Sequence, residues 1–151
     1  MPLPKLDDAL TGVTRIGLDT MSVIYFVEAN PQYVDLMRSI FRRISAGKMV
    51  GVASTITLME VLVQPLRLGD TAVADQYRDL LVGSTNFEIL PMTQAVAETA
   101  ADLRARYNLR AADAAVAATA IQSGCQALVT NDSRLPRVTE LRVLLLDDLI
   151  L

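Results

Sequence analysis

The chain has 151 residues, of which 52% are hydrophobic and 21% charged, with a formal net charge of −3 and a mean hydropathy of +0.34. That is length enough for one ordinary domain with a real core, and too apolar for a disordered or charge-extended chain. There is no histidine, no tryptophan and a single cysteine, Cys125, which excludes Ser-His-Asp and Cys-His nucleophilic sites, imidazole zinc sites and an internal disulfide.

Residues 1–12 read as an N-terminal extension with freedom to move. They set Lys5, Asp7 and Asp8 around two prolines, unlike the apolar segment of a signal peptide. A first strand is predicted over residues 13–18. Asn30 and Pro31 then read as a helix N-cap and first helical residue. The helix they open carries Tyr33, Met37, Ile40, Phe41 and Ile44 at helical spacing and stops at Gly47. A second strand follows over residues 49–53. Ser54 or Thr55 caps a helix running to Val63, with Pro65 near its end, and residues 70–82 repeat the helical pattern. Phe87 to Leu90 is a third strand. Thr93 caps a helix with Val96, Ala100, Leu103 and Tyr107 on one face, and residues 111–123 form an alanine-dense helix before Gly124. Ala127 to Thr130 is a fourth strand and residues 143–146 a fifth.

Strands alternate with helices, and the last three strands are short apolar runs of the kind buried in parallel sheets. The fold class is therefore α/β: a single domain over residues 1–151 with a mostly parallel sheet of five strands covered by helices on both faces. In such folds ligands bind beyond the carboxyl ends of the strands. The longest uncharged run, residues 114–131, is broken by Thr119, Gln122, Ser123, Gly124 and Gln126. A bilayer span needs about 20 mostly apolar residues, so no membrane span is expected. Met21, Met37, Met49, Met59 and Met92 are expected as core fillers, and Cys125 as an inert buried thiol in a reducing cytoplasm.

Four acids stand alone among uncharged neighbours. Asp19 is the only charge between Arg15 and Glu28, directly after the first strand. Glu60 is the only charge between Lys48 and Arg67, inside an apolar helix. Asp113 is the only charge between Arg110 and Asp132, on the alanine-rich helix, and Asp132 itself follows the fourth strand. A carboxylate in apolar surroundings is costly unless paired or ligated. Asp19 and Glu60 have no cation within a helical turn, whereas Asp113 has Arg110 three residues before it. A shared divalent cation resolves the cost. Carboxylates without His or Cys suit Mg²⁺ or Mn²⁺ rather than zinc.

These same residues carry a resemblance. Leu18-Asp19-Thr20 with Val23-Ile24-Tyr25, the run from Ile56 to Leu62 around Glu60, Leu109-Arg110-Ala111-Ala112-Asp113-Ala114, and Leu128-Val129-Thr130-Asn131-Asp132 resemble, in order, the four motifs of PIN-domain nucleases. The fourth motif usually continues to an aromatic three residues after its aspartate, and here that position is Leu135, followed by Pro136. Many members are basic, and this chain is acidic. However, losing the four negative charges of the site takes −3 to +1, and bound cations reverse such a field locally. Twelve arginines stand against only two lysines, which suits bidentate phosphate contacts.

The resemblance implies a metal-dependent ribonuclease of the kind found as toxins in bacterial and archaeal toxin–antitoxin pairs: cytoplasmic, often dimeric and held inactive by an antitoxin protein. Asp19, Glu60, Asp113 and Asp132 would be the catalytic and metal-holding set around Mg²⁺ or Mn²⁺. Thr20, Thr130, Asn131, Arg110 and Arg134 are weaker candidates for contacts to the RNA. An alternative is a catalytically weak module of the same fold that acts through a protein partner. An aspartyl phosphatase fits poorly, because the position two after Asp19 is Met21 and no lysine follows Lys48.

Overall fold

The structure, a computed structural model, describes residues 3–150. Its centre is a parallel sheet of β1 (Arg15–Leu18), β2 (Val50–Ser54), β3 (Phe87–Leu90), β4 (Ala127–Thr130) and β5 (Arg142–Leu145), in the spatial order β3-β2-β1-β4-β5. Gly17 in β1 faces Val52 on one side and Leu128 on the other. The chain moves outward from β1 to β2 and β3, then crosses back to lay down β4 and β5 on the other flank. The strand order therefore reverses between β1 and β4, which opens a crevice at their carboxyl ends.

The described helices are α1 (Pro4–Ala9), α2 (Thr20–Val27), α3 (Val34–Ser45), α4 (Thr55–Leu68), α5 (Thr71–Gly83), α6 (Gln94–Tyr107), α7 (Ala111–Gln122) and α8 (Leu146–Leu149). Side-chain caps start four of them: Asp19, Ser54, Asp70 and Thr93 each accept a backbone N–H from the first turn of α2, α4, α5 and α6, a bond worth about 1 kcal/mol. None of the described helices is long and apolar enough to cross a membrane.

The two faces of the sheet are filled differently. On one face Ile16, Leu18 and Val129 pack against Met37, Ile40 and Ile44 of α3 and Tyr77 and Leu81 of α5. On the other, Val52 and Leu128 meet Leu103 of α6 and Ala114, Ala117 and Ala118 of α7. Alanine lets α7 lie close on the strands. A Cβ built at Gly17 would stand 2.9 Å from the Ala120 Cβ and 3.1 Å from a Leu128 methyl, so the helix rests on a bare backbone there.

Several expectations need correction. Residues 20–27 form α2, whose apolar side chains surround the helix and leave no periodic pattern to read; it is wedged between α3, α4 and β4. Asn30 does not cap α3, which starts at Val34. Its side chain instead accepts the Gln32 N–H and its carbonyl takes the Val34 N–H, after a left-handed turn at Ala29. The helix expected to end at Val63 continues through Pro65 to Leu68 and closes on Gly69 in the left-handed conformation, the favoured residue for that cap. β3 and β5 are the two edges and only partly buried, while β4 is buried throughout. Met37 and Met49 lie in the core, but Met21, Met59 and Met92 are exposed, because α2, α4 and the segment after β3 turn those positions outward. Residues 3–12 carry α1, with Leu6 and Leu10 buried, and Arg43 pairs with Asp7.

Candidate active site

All four isolated acids open onto one cleft of about 400 Å³ at the carboxyl end of the sheet, over the β1–β4 crevice. Four different elements bring them there. Asp19 is the residue after β1 and the N-cap of α2. Glu60 sits in the second turn of α4, which leaves β2 directly. Asp113 is in the first turn of α7, and Asp132 stands two residues beyond β4. Three helices thus turn their amino-terminal ends, with their partial positive charge, toward the acids.

Asp19 is the most enclosed of the four, with 9% of its surface exposed. Its Oδ1 accepts the Ser22 backbone N–H at 2.9 Å and the Ser22 hydroxyl at 2.6 Å; its Oδ2 accepts the Thr130 hydroxyl. All three donors are neutral. Burial pushes the Asp19 carboxyl above its ordinary pKa; the Ser22 and Thr130 hydrogen bonds oppose the shift without cancelling it, and the Asp113 charge adds to it. Glu60 likewise has a neutral partner: Thr20 donates to its Oε1 at 2.6 Å.

The other two acids hold arginines. Arg134 donates to Asp132 through both Nε, at 3.1 Å to Oδ1, and a terminal nitrogen, at 2.9 Å to Oδ2, while its own backbone N–H reaches Oδ1. Arg110 donates through Nε to Asp113 Oδ2 at 2.8 Å and reaches Asp132 Oδ2 at 3.3 Å. The Arg134 side chain holds the Asp132 carboxyl down at about 2. Thr130 joins the two halves, because the hydroxyl that donates to Asp19 also accepts the Asp132 backbone N–H at 3.0 Å.

The donor set fits a hard divalent cation: carboxylates only, one of them buried with no cation of its own. As the side chains stand, no three acids among the described residues are grouped closely enough to ring one ion, and Asp113 and Asp132 face the arginines.

The family model described as PIN domain matches residues 16–141, which span β1 to the approach of β5 and all four acids. The chain belongs to the PIN domain family. Members of this family are nucleases. No curated protein sequence matches the chain with significance. Among solved structures, VapBC2 from Rickettsia felis, bound to a promoter DNA fragment, aligns with a TM-score of 0.70 at 18% identity, over 87% of this chain and 98% of that one. A toxin–antitoxin complex from Klebsiella pneumoniae gives 0.65 at 23%, over 88% and 98%. DNA-bound VapBC from Salmonella typhimurium gives 0.63 at 20%, over 89% and 98%. At these identities the likeness is one of fold.

Within this PIN domain the weaker sequence candidates divide. Thr20 and Thr130 serve the acids directly. Asn131 lines the cleft and accepts the Asp147 backbone N–H at 3.2 Å. Of the arginines flanking the acids in sequence, only Arg110 and Arg134 reach them. Arg104 donates to the Leu109 carbonyl, Arg106 binds Asp102 and Glu140, and Arg137 donates to the Tyr107 carbonyl. Where the fourth motif usually has an aromatic, Leu135 is fully buried in the second core and opens a 3-10 turn, so an aliphatic side chain fills that place. Sequence reasoning missed Ser22 and Tyr25 as site residues. Ser22, fully buried, lies three residues after an N-cap aspartate, the position whose backbone N–H such a cap accepts, and here its hydroxyl joins that bond.

Proposed function

We propose that this protein is a Mg²⁺- or Mn²⁺-dependent endoribonuclease that hydrolyses RNA phosphodiesters in the cytoplasm, as the toxin of a toxin–antitoxin pair. One observation carries the reading: four acids, isolated in sequence and delivered by four elements, share a single cleft that holds no histidine or cysteine. Family membership supports nuclease chemistry. The fold likeness to complexes described as VapBC or toxin–antitoxin supports a protein partner.

In this reading Asp19, Glu60, Asp113 and Asp132 are both the catalytic residues and the cation's ligands. The cation supplies Lewis-acid polarisation of the phosphate and activation of the attacking water. Ser22 and Thr130 fix the orientation of the Asp19 carboxylate, and Thr20 does the same for Glu60. Arg110 and Arg134 supply positive charge at the cleft for a phosphate that would otherwise meet four carboxylates. Tyr25, stacked on Tyr33, lines the cleft and is of the residue type on which an unpaired base stacks. The α4 helix exposes Met59, Val63 and Leu66 along one side. An apolar stripe of that kind supports an antitoxin partner or a homodimer that would cover it.

The test is cleavage of a mixed panel of structured and single-stranded RNAs with Mg²⁺, with Mn²⁺ and with EDTA, alongside Asp113→Asn. Metal-dependent cutting lost in the variant is the expected result. No cutting and no metal binding would overturn the reading and leave a binding module that acts through a protein partner.

A further inference from the structure

Among the described residues, two of the four acids have counter-ions and two do not. Asp19 and Glu60 are held by hydroxyls and one backbone N–H. Asp113 and Asp132 are held by two guanidinium groups that make five nitrogen–oxygen contacts to them within 4 Å: Arg110 to each acid at 2.8 and 3.3 Å, and Arg134 to Asp132 at 3.1 and 2.9 Å and to Asp113 at 3.8 Å. We propose that Arg110 and Arg134 form an exchangeable latch: they neutralise Asp113 and Asp132 until a divalent cation displaces them, and the displaced guanidiniums turn to the phosphate of the RNA.

The inference rests on the metal-site reading above and concerns how that site is kept closed to metal. Three observations carry it. The first is stoichiometry, since two positive charges sit on two negative ones and leave Asp19 and Glu60 as the uncompensated pair. The second is looseness. The Arg110 side chain is 66% exposed and that of Arg134 is 39% exposed, so both guanidiniums are open to solvent, which screens the pairs and hydrates either group when it leaves its acid. A divalent cation that gains direct carboxylate ligands outcompetes such pairs. The third is selectivity. The neighbouring Arg104, Arg106 and Arg137 are tied to a carbonyl or to acids outside the cleft, so the two arginines on the site acids are set apart from the rest.

Exchange makes metal and RNA mutually supportive. A phosphate that draws the guanidiniums away uncovers Asp113 and Asp132 for the cation, and by linkage the cation raises affinity for the phosphate by the same factor. The latch is therefore a brake on the site in the absence of substrate and a phosphate contact in its presence.

The experiment is Mn²⁺ binding to the purified full chain by isothermal titration calorimetry, without RNA. The variants are Arg134→Gln, Arg110→Gln, the double variant, Arg134→Lys, and Arg42→Gln as a distant charge control, with circular dichroism to check that each is folded. The screened worth of such a pair converts to about a fivefold tighter Mn²⁺ affinity for Arg134→Gln, with a larger gain in the double variant. Arg134→Lys keeps the charge and loses the two-pronged contact, so it should fall between wild type and Arg134→Gln. Arg42→Gln should match wild type. Equal or weaker Mn²⁺ binding in both glutamine variants would overturn the latch and leave the metal site standing. A lysine variant equal to wild type beside a tighter Arg134→Gln would assign the gain to net charge and would also overturn it. Binding absent from wild type and every variant would overturn the metal site itself.

Discussion

Asp19 and Asp132 sit just beyond the ends of neighbouring parallel strands, share the Thr130 hydroxyl, and live in opposite electrostatic surroundings. Asp19 is buried among neutral donors and its pKa is pushed up. Asp132 is gripped by Arg134 and its pKa is held at about 2. Hydrogen bonds from hydroxyls and amides orient a carboxylate while leaving its charge uncompensated, whereas guanidiniums cancel the charge they orient. The cleft is thus polarised. Uncompensated negative charge is concentrated on the β1 side, where the proposed cation would sit, and the guanidiniums are gathered on the β4 side, where the proposed phosphate would meet them.

The harshest test of that contrast is Asp19→Asn. Cleavage should fall by more than the roughly hundredfold that loss of an outer partner costs, while the melting temperature at pH 7 holds or rises, because a buried charge without a counter-ion is gone. A variant that melts well below wild type would break the comparison. Next comes Thr130→Val, which removes the hydroxyl both halves use. With the Asp19 Oδ2 and the Asp132 N–H left unpartnered, stability should fall by about 1–3 kcal/mol in chemical denaturation and metal affinity by about tenfold.

Acid titration separates the two acids by sign. The folded pKa of Asp132 lies below its unfolded value, so its contribution is complete above about pH 4 and disappears as pH falls through about 2. The folded pKa of Asp19 lies above its unfolded value, so ionisation costs stability, and that cost grows as pH rises from about 4. In melts from pH 2 to 7, Asp132→Asn should be less stable than wild type by about 1 kcal/mol near neutrality, the screened worth of a partly exposed pair. That difference should close at the acid end, while the difference for Asp19→Asn runs with the opposite sign or vanishes. Ser22→Ala is expected to do least. It should cost about 0.5 kcal/mol in chemical denaturation, the low end for one hydrogen bond, because the Ser22 backbone N–H stays on Oδ1.

Both the sheet and the acids were legible in the sequence for a common reason: each breaks a local pattern. The buried strand from Ala127 to Thr130 is an apolar run between turn signals, and each of the four acids is a lone charge in an uncharged stretch. The Arg110–Asp113 pair was also legible, as a helical i, i+3 spacing. The grip of Arg134 on Asp132 was not, since residues two apart meet only because the chain turns tightly after β4. Helix α2 was hidden because its eight residues set apolar side chains around the helix rather than along one stripe, Met21 outward and Val23 inward. The start of α3 was misplaced because Asn30 and Pro31 build a turn with the same residues that begin helices.

The bare backbone at Gly17 has a consequence for inheritance. Ala120 touches that strand seven residues along the same rigid helix from Asp113, about 10 Å at the rise of an α-helix. A single methyl group at position 17 would push the far end of the rod and tilt the acid it carries. If the protein is toxic to its host, survivors of a genetic selection should carry changes at Gly17 as well as at the acids. Alleles of that kind would be silent to any inspection of the cleft, and many would be temperature-sensitive.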